Sequence, residues 1–167
     1  MIKYIKNYIN VKRNGIPFNI FVTNFVFQKI FRIDSDCKIS KNFTSRIMCP
    51  EKIIIENESK TVLRSFAVSG ACYFQACRGI DLGENTIFAH GVTIVSMEHK
   101  LDDIHKIGKE GRVKIGKNCW LGAKCTILSG VELGDNTVVG ANTVVTKSFV
   151  DGNVVIAGIP AKIIKKL

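Results

Sequence analysis

Hydrophobic residues recur at every sixth position through the second half of the chain. Residues 115–150 divide into six consecutive hexads, IGKNCW, LGAKCT, ILSGVE, LGDNTV, VGANTV and VTKSFV. Each hexad opens with a branched aliphatic residue: Ile115, Leu121, Ile127, Leu133, Val139 and Val145. A unit of six is too short for a helix pair but matches a short strand followed by a corner. Stacked units therefore predict a parallel β-solenoid with three hexads in each triangular coil.

The other hexad positions predict where the chain turns and what fills the interior. The fourth position is mostly Asn or Gly, which tolerate the positive φ of a tight corner. The fifth position holds mostly small or β-branched residues, which suit the inside of a narrow tube. The sixth position repeats valine at Val138, Val144 and Val150. We expect these valines to align as an apolar stripe through which the protein self-associates.

A third coil is predicted before this stretch, with an extruded loop between the two. LGENTI, FAHGVT and IVSMEH, residues 82–99, follow the same pattern. Residues 100–114 are polar and charged, which predicts a loop extruded from one corner and a lead-in to the next coil. Upstream, we expect strands of irregular coils in KIIIENES and in residues 61–79, and a further strand at residues 39–44.

The N-terminal segment differs from the rest of the chain. Residues 1–33 lack the repeat, carry six basic and no acidic residues, and contain five of the ten phenylalanines. We expect a cap or helix packed on one end of the solenoid, because end coils expose apolar core. A helix lying on an anionic membrane surface is the alternative, because basic residues flank this apolar segment. The predicted domains are thus a cap at 1–33 and a β-helix at 34–167 that ends in a tail at 157–167.

Composition narrows the class of protein. A chain of 167 residues with 46% hydrophobic residues fits one globular domain and excludes a disordered or fibrous protein. The apolar stretch at residues 16–33 is interrupted by polar residues and followed by no cleavage site. It therefore predicts neither a signal peptide nor a membrane span. We expect a cytoplasmic protein, with the inner face of the membrane as the alternative location.

Cysteines and net charge leave two questions about chemistry open. The six cysteines form no C-x-x-C pair, so we expect reduced and mostly buried thiols. A net charge of +10 is compatible with nucleic acid, an anionic membrane surface or a phosphorylated cofactor as partner.

The hexads, the loop that follows Glu98-His99 and the ending AGIPAKIIKK together resemble the hexapeptide-repeat acyltransferases. The sequence is most similar to galactoside/maltose acetyltransferases and polysaccharide O-acetyltransferases, over residues 53–167. The resemblance implies a left-handed β-helix and a homotrimer. It also implies that acetyl-CoA binds between neighbouring subunits and gives its acetyl group to a hydroxyl of a saccharide or polysaccharide precursor. A cofactor then accounts for the C-terminal lysines, and nucleic acid is not expected as a partner.

The resemblance also implies roles for individual residues around the transferred acetyl group. His99 takes the catalytic position, where an imidazole with a pKa near 6.5 can accept a hydroxyl proton at neutral pH. Trp120 matches a tryptophan beside the active site, and packing at a subunit interface is its alternative. The backbone N–H of Ala123 is the candidate donor to the acetyl oxyanion.

Cofactor and acceptor contacts follow from the same resemblance. The expected cofactor-binding residues are Trp120, Ala123, Ala141, Thr146, Lys147, Lys162 and Lys165. The lysines suit the phosphates of CoA. The expected acceptor-binding residues are Tyr73, Gln75 and Asp102, with Asp102 and Asp103 as alternatives for orienting His99. Tyr73 and Gln75 stand where the sugar enzymes carry an Asn-containing segment, so the resemblance does not extend to galactoside or maltose as acceptor. A strand position at the trimer interface is their alternative role.

The histidines do not predict a metal site, and two rival functions remain as alternatives. The γ-class carbonic anhydrases share the fold and bind zinc through one histidine far upstream and two close together. Here His90, His99 and His105 all lie within sixteen residues, so we expect no metal. We expect His90 and His105 to be structural or solvated, although His105 could reach the ligands of a neighbouring subunit. The rival functions are a non-catalytic solenoid that acts as a scaffold or membrane-binding module, and acetylation of serine or a small amino compound.

Overall fold

The computed structural model describes residues 15–167, and the part of the predicted cap at residues 1–14 lies outside them. Short strands repeat around three sides of a solenoid. The strands are β1 Arg46–Met48, β2 Ile53–Ile55, β3 Tyr73–Gln75, β4 Ile80–Leu82, β5 Ile87–Phe88, β6 Thr93–Val95, β7 Met97–His99, β8 Ile107–Glu110, β9 Val113–Ile115, β10 Trp120–Leu121, β11 Thr126–Ile127, β12 Glu132–Leu133, β13 Val138–Val139, β14 Val144–Val145, β15 Val154–Ala157 and β16 Lys162–Lys166.

Three parallel sheets form the faces of the solenoid. The first face has the order β1-β3-β6-β11-β14, the second β2-β4-β9-β12, and the third β5-β10-β13-β15. Strand β16 lies antiparallel to β15 at the edge of the third face, so the predicted tail at 157–167 is largely a strand. Since the chain visits the faces in turn, strands stack at a spacing of three hexads wherever the repeat is unbroken, as Trp120 pairs with Val138.

The roles predicted for the first, fourth and fifth hexad positions are confirmed. All six aliphatic residues at the first position are buried. The fourth position has positive φ in five of the six hexads, at Asn118, Lys124, Gly130, Asn136 and Asn142. The fifth position is buried at Cys119, Cys125, Val131, Thr137 and Thr143. Within the tube the Thr137 hydroxyl donates to the Gly134 carbonyl at 2.7 Å, so a polar side chain is satisfied without water.

The predicted valine stripe is wrong. Val138 lies on the third face and Val144 on the first, whereas Val150 lies in a turn outside the strands of all three faces. Residues six apart fall on successive sides of the coil and so cannot align. Residues that align must come from stacked strands of one face. The ladder that does form on the third face pairs Ile87 with Trp120 and Trp120 with Val138, and continues to Val155.

Several strands predicted upstream are also wrong. Residues 61–79 begin in a helix, α2 (Lys60–Val68), which stands between β2 and β3 in the place of a third-face strand. Val62 and Phe66, four residues apart, are both buried, and this helical spacing decides the element. Residues 39–44 form no strand, and the first strand is β1. In KIIIENES only β2 is a strand, followed by a 3₁₀ turn at Glu56–Glu58.

The extruded loop is a β-hairpin with bounds different from those predicted. It leaves the solenoid in β7 and returns in β8, which pair antiparallel. Val113 is already fully buried in β9, so the extruded segment runs through residues 97–112 and not 100–114. The hairpin therefore begins before His99, which becomes part of a strand.

A short helix packs against the N-terminal end of the solenoid. It is α1, Phe18–Phe25, and continues in a π-helical turn, Val26–Ile30. Two polar side chains attach it to the solenoid: Asn24 donates to the Ala67 carbonyl at 3.1 Å, and Gln28 donates to the Ile39 carbonyl at 3.0 Å. No helix within residues 15–167 has the length and apolar character needed to cross a bilayer.

Candidate active site

The candidate residues lie at two different corners of the solenoid. The hairpin corner joins the first face to the second, and the β7–β8 hairpin leaves the solenoid there with His99 at the end of β7. The alanine corner joins the third face to the first and contains Ala123 and Ala141. Each corner is a column of turns from successive coils, about 4.8 Å apart.

His99 is held by its backbone and exposes its side chain. It pairs with Ile107 across the hairpin, and the next residue, Lys100, donates its N–H to the Lys106 carbonyl at 3.0 Å. Gly108 makes this close pairing feasible, because a Cβ there would lie 2.6 Å from the His99 carbonyl oxygen. The imidazole forms no hydrogen bond with any residue in the described range, so it is available to a substrate hydroxyl.

The coil after the hairpin fixes the residue that precedes His99. Ser129, fully buried, donates its hydroxyl to Glu98 Oε1 at 2.7 Å, and its backbone N–H approaches the same oxygen at 3.3 Å. Hydrogen bonds to a carboxylate are among the stronger ones in proteins. The contact joins residues 31 apart in sequence, and sequence analysis missed it. The only signal was the Glu-His pair itself.

The coil before the hairpin holds its other strand. The Arg78 guanidinium forms an ion pair with Glu110 on β8 at 2.7 Å, and the Arg78 backbone N–H donates to the Ser96 hydroxyl at 2.9 Å. Ser96 in turn donates to the Gln75 carbonyl at 2.8 Å. The hairpin is thus braced from both neighbouring coils, and Arg78 also escaped the sequence analysis.

Of the predicted acceptor residues, Gln75 is at the hairpin corner. Its side-chain oxygen accepts the backbone N–H of Met97 at 3.1 Å, two residues before His99. Tyr73 lies two residues earlier on β3, and its hydroxyl contacts the Met48 sulfur at 3.0 Å. Gln75 therefore contacts the hairpin that carries His99, whereas Tyr73 contacts the neighbouring strand β1.

The acidic residues of the hairpin tip do not orient His99 in this structure. Asp103 forms an ion pair with Lys106 at 3.0 Å and accepts the backbone N–H of His105. Asp102 is exposed at the tip, with no recorded hydrogen bond to residues 15–167. These side chains remain near the hairpin and are accessible to a bound molecule.

The alanine corner presents backbone donors. Ala123 and Ala141 stand in consecutive coils, because the Asn142 N–H donates to the Ala123 carbonyl at 2.9 Å. The N–H groups of both alanines lack an acceptor among residues 15–167. Unused backbone donors of this kind are what an oxyanion or an amide carbonyl of pantetheine requires. Gly122 keeps the layers close, since a Cβ there would lie 2.7 Å from the Ala141 nitrogen.

Trp120 leads into the alanine corner from the third face. It is half exposed, and its β-ladder partners are Ile87 and Val138. Its ring therefore belongs to an outward apolar ladder and not to the core.

The candidate lysines divide between the two corners. Thr146 and Lys147 follow β14 at the hairpin corner, two coils from His99, and both are exposed. Lys162 and Lys165 are exposed on β16, the strand that pairs with β15 at the edge of the third face. The Ala161 N–H donates to the Val144 carbonyl at 2.9 Å, which anchors this strand to the coil of Ala141.

One chain does not bring the two groups together. His99, Gln75 and the Thr146-Lys147 pair occupy the hairpin corner, whereas Ala123, Ala141 and Lys162 gather at the alanine corner. The two corners lie at opposite ends of the first face, so they point in different directions.

His90 and Cys125 have structural surroundings, whereas His105 is exposed. His90 accepts the Gly70 N–H through Nδ1 at 2.9 Å, and His105 is exposed. Within residues 15–167, no three His, Cys, Asp or Glu side chains are grouped as metal ligands would be. Burial raises the pKa of the Cys125 thiol to about 12, which keeps it protonated and unreactive at neutral pH.

Comparison with known proteins matches both the repeat and most of the chain. Residues 112–147 match the family model described as hexapeptide repeat of succinyl-transferase. The putative acetyltransferase YvoF of Bacillus subtilis strain 168 is 34% identical over 149 residues, covering 89% of this chain and 79% of that protein. The galactoside O-acetyltransferase of Escherichia coli K12 is 36% identical over 93 residues, covering 53% of this chain and 44% of that enzyme. The chain thus spans less than half the length of the latter.

Solved structures show the same architecture. A maltose O-acetyltransferase from Clostridium difficile 630 aligns with a TM-score of 0.60 at 32% identity, covering 74% of this chain and 63% of that chain. A galactoside acetyltransferase in complex with coenzyme A shares the fold at 21% identity, with a TM-score of 0.52 and coverage of 95% and 82%. The predicted all-β fold, a left-handed parallel β-helix, is therefore confirmed.

Proposed function

Because the chain belongs to the hexapeptide-repeat acetyltransferases, as its match to a relative over most of both chains shows, we propose that it is an acetyl-CoA-dependent O-acetyltransferase. The acceptor is a hydroxyl of a saccharide or a polysaccharide precursor. The observation that carries the proposal is an exposed histidine, His99, on a hairpin braced by the coils on both sides. The names of relatives that act on galactosides and maltose support a saccharide acceptor.

His99 acts as the general base in this mechanism. Its neutral imidazole takes the proton of the acceptor hydroxyl while that oxygen attacks the thioester carbonyl of acetyl-CoA. The carbonyl oxygen gains negative charge, which the Ala123 N–H stabilises because it has no acceptor within the described chain. The carbon–sulfur bond then breaks, and the departing thiolate takes the proton from the imidazolium. A positioned base of this kind contributes about 10²- to 10⁴-fold to the rate.

The active site lies between subunits of a homotrimer. The support is geometric: His99 and the backbone donors of Ala123 and Ala141 sit at different corners of one chain. A neighbouring subunit that offers its alanine corner to the hairpin corner completes the set. Trp120, on the exposed apolar ladder of the third face, is placed to contact the cofactor or the neighbour.

CoA occupies the groove between the hairpin corner of one subunit and the alanine corner of its neighbour. The reaction needs no metal. The pantetheine arm of CoA runs past Ala141, and the CoA phosphates meet Thr146, Lys147, Lys162 and Lys165, whose side chains are exposed and cationic or polar. Coenzyme A is bound in the solved galactoside acetyltransferase that shares the fold. Gln75, Tyr73 and Asp102 remain the proposed acceptor contacts, and a cytoplasmic location fits acetyl-CoA as cosubstrate.

Calorimetry with acetyl-CoA, followed by a thiol-release assay with a saccharide panel, tests the proposal. We expect about one acetyl-CoA per chain, and turnover that His99→Ala abolishes while binding and trimerisation persist. His105→Ala is the matched control, since that exposed histidine lies on the same hairpin and has no proposed chemistry. No binding at millimolar acetyl-CoA would support the scaffold. Thiol release with serine or amino compounds but no saccharide would support the other alternative.

A further inference from the structure

The N-terminal helix is inverted relative to an ordinary surface helix. Its buried positions are polar: Asn24 and Gln28 are nearly inaccessible and bond to backbone groups of the solenoid. Its large exposed side chains are apolar, with Phe18 56%, Val22 40% and Phe25 51% exposed, and the polar Asn19 and Thr23 are exposed beside them. The three apolar residues follow a spacing of four and three and so form one stripe on the helix. A water-facing helix places such residues the other way round.

The apolar surface continues past the helix. Phe27 packs against Phe31 with ring centroids 5.5 Å apart, and stacks on Phe43 at 4.4 Å. Phe31 and Phe43 are themselves exposed, as are Ile30 and Ile33. We call the seven exposed residues the outer patch: Phe18, Val22, Phe25, Ile30, Phe31, Ile33 and Phe43. A cluster of this kind on a soluble surface marks a contact with another apolar phase.

The charge around the outer patch is positive. Lys29, Arg32 and Lys38 have exposed side chains beside residues of the patch, against one exposed acid, Asp36, between residues 15 and 43. In the sequence, residues 1–33 contain six basic and no acidic residues. The first acidic residue along the chain, Asp34, is paired with Lys41 at 3.2 Å. Two copies that met through this patch would bring like charges together. An anionic lipid surface offers both an apolar phase and the opposite charge.

We propose that α1 and its π-helical turn lie in the interface of an anionic lipid bilayer, with the outer patch inserted among the lipids. The helix is too short to cross the bilayer but suits a position parallel to its plane. Asn24 and Gln28 face away from the lipid and fix the solenoid to the helix. A saccharide attached to a membrane lipid is the acceptor class that this location favours, an extension that rests on the proposed function.

Vesicle co-sedimentation tests the proposal without using catalysis. The full chain is mixed with large unilamellar vesicles of phosphatidylcholine alone, or with about 30% phosphatidylglycerol, at low and high salt. We expect binding to the anionic vesicles that weakens with salt. Phe18→Ser/Phe25→Ser should lower the partition coefficient by about tenfold or more, because these side chains supply apolar area to the lipid.

The matched control is Leu101→Ser/Ile104→Ser, which removes two even more exposed apolar side chains from the hairpin tip. It should bind like the unaltered chain. Circular dichroism checks that both variants fold, as expected for exposed positions. Absence of vesicle binding, or equal binding by the Phe18/Phe25 variant, would overturn the proposal. It would also be overturned if sedimentation showed an oligomer that this variant loses, since a second copy would then cover the patch. None of these outcomes depends on acetyl transfer.

Discussion

The Ser129 hydroxyl donates a 2.7 Å hydrogen bond to Glu98, the residue immediately before His99. Ser129 belongs to the next coil and is fully buried. This hydrogen bond therefore fixes the position of Glu98 relative to the core of the solenoid. The contact makes Glu98 and Ser129 positioning residues for the proposed base.

Ser129→Ala should therefore slow turnover more than it weakens cofactor binding. Without the Ser129 hydroxyl the Glu98 carboxylate is free to move. The hairpin strand that carries His99 then loses the hydrogen bond that holds it to the next coil. We expect kcat to fall about 10- to 100-fold, which corresponds to about 1.4–2.7 kcal/mol, with the KM for acetyl-CoA little changed. Steady-state kinetics measures both constants.

Glu98→Gln provides the discriminating comparison with Glu98→Ala. The amide keeps an oxygen that can accept the Ser129 hydroxyl proton, so we expect Glu98→Gln to retain most activity and Glu98→Ala to lose it. Equal losses in the two variants would assign the effect to the carboxylate charge and not to the hydrogen bond.

The buried Lys41 should be a major determinant of stability at the N-terminal end. Its side chain is fully buried, its ammonium donates to the Ser45 carbonyl at 2.6 Å, and it lies 3.2 Å from Asp34. Asp34→Asn leaves this buried cation without its anionic partner while keeping a residue that tolerates the φ of 57° at this position. We expect a loss of about 3 kcal/mol in the free energy of unfolding.

Urea denaturation of the Asp34→Asn variant checks this value. Asp36→Asn is the matched control, because Asp36 is exposed and has no recorded ion pair within residues 15–167. We expect the control to change stability by less than about 0.5 kcal/mol. Equal effects of the two substitutions would show that the buried pair contributes nothing specific.

Alkaline pH should destabilise the solenoid through its interior thiols. Burial raises the pKa of the Cys125 thiol from its ordinary value of 9.0 to about 12 in the folded state. The folded chain therefore keeps a proton that the unfolded chain loses between these values. Stability from this group is complete below pH 9 and falls as the pH rises, by about 2 kcal/mol at pH 10.5. Burial raises the pKa of Cys119 in the same direction.

Comparing Cys125→Ala with Val131→Ala isolates this effect. Both residues occupy the fifth hexad position and are fully buried, but only the cysteine titrates. We expect both variants to lose stability at pH 7. Only Cys125→Ala should then show a smaller decrease in unfolding free energy between pH 8 and pH 10.5. Parallel curves for all three proteins would argue against a buried titrating thiol.

The alanine corner should be sensitive to a single added methyl group. A Cβ at Gly122 would lie 2.7 Å from both the Ala141 nitrogen and the Val139 carbonyl oxygen, which are backbone atoms that cannot rotate away. Gly122→Ala must therefore displace Ala123 or Ala141, and we expect weaker acetyl-CoA binding together with a loss of about 1–3 kcal/mol in stability. Calorimetric titration and thermal unfolding measure the two effects.

Gly140→Ala is the matched control for this substitution. Its nearest contact would be the side-chain Cβ of Ala157 at 3.1 Å, which a small shift relieves. We expect binding close to that of the unaltered chain. If Gly140→Ala impaired binding as much as Gly122→Ala, the close approach at Gly122 would not be the cause.

The repeat was predictable because each hexad repeats one local environment. Burial of the first position and positive φ near Asn118 and Asn136 depend on neighbours within a few residues. The valine stripe failed because alignment depends on closure of the coil, which relates residues eighteen apart and not six. Helix α2 was missed because one buried pair, Val62 and Phe66, carries its signal.

The chemistry of the candidate site was only partly accessible from sequence. The motif that contains His99 carried enough information to single out that residue. Its supports, Arg78 and Ser129, come from the coils below and above, and nothing local marks them as contacts of the hairpin. The separation of His99 from Ala123 is likewise a property of the assembled tube.

The hairpin at residues 97–112 interrupts the chain without interrupting the stack. Ile94 on β6 still pairs with Ile127, and Leu82 on β4 with Ile115, on either side of the insertion. The ladders therefore place no demand on the length or composition of the hairpin tip beyond Gly108 and the two braces. The tip of the hairpin can therefore change in length or sequence, and with it the surface offered to an acceptor, without disturbing any strand pairing of the solenoid.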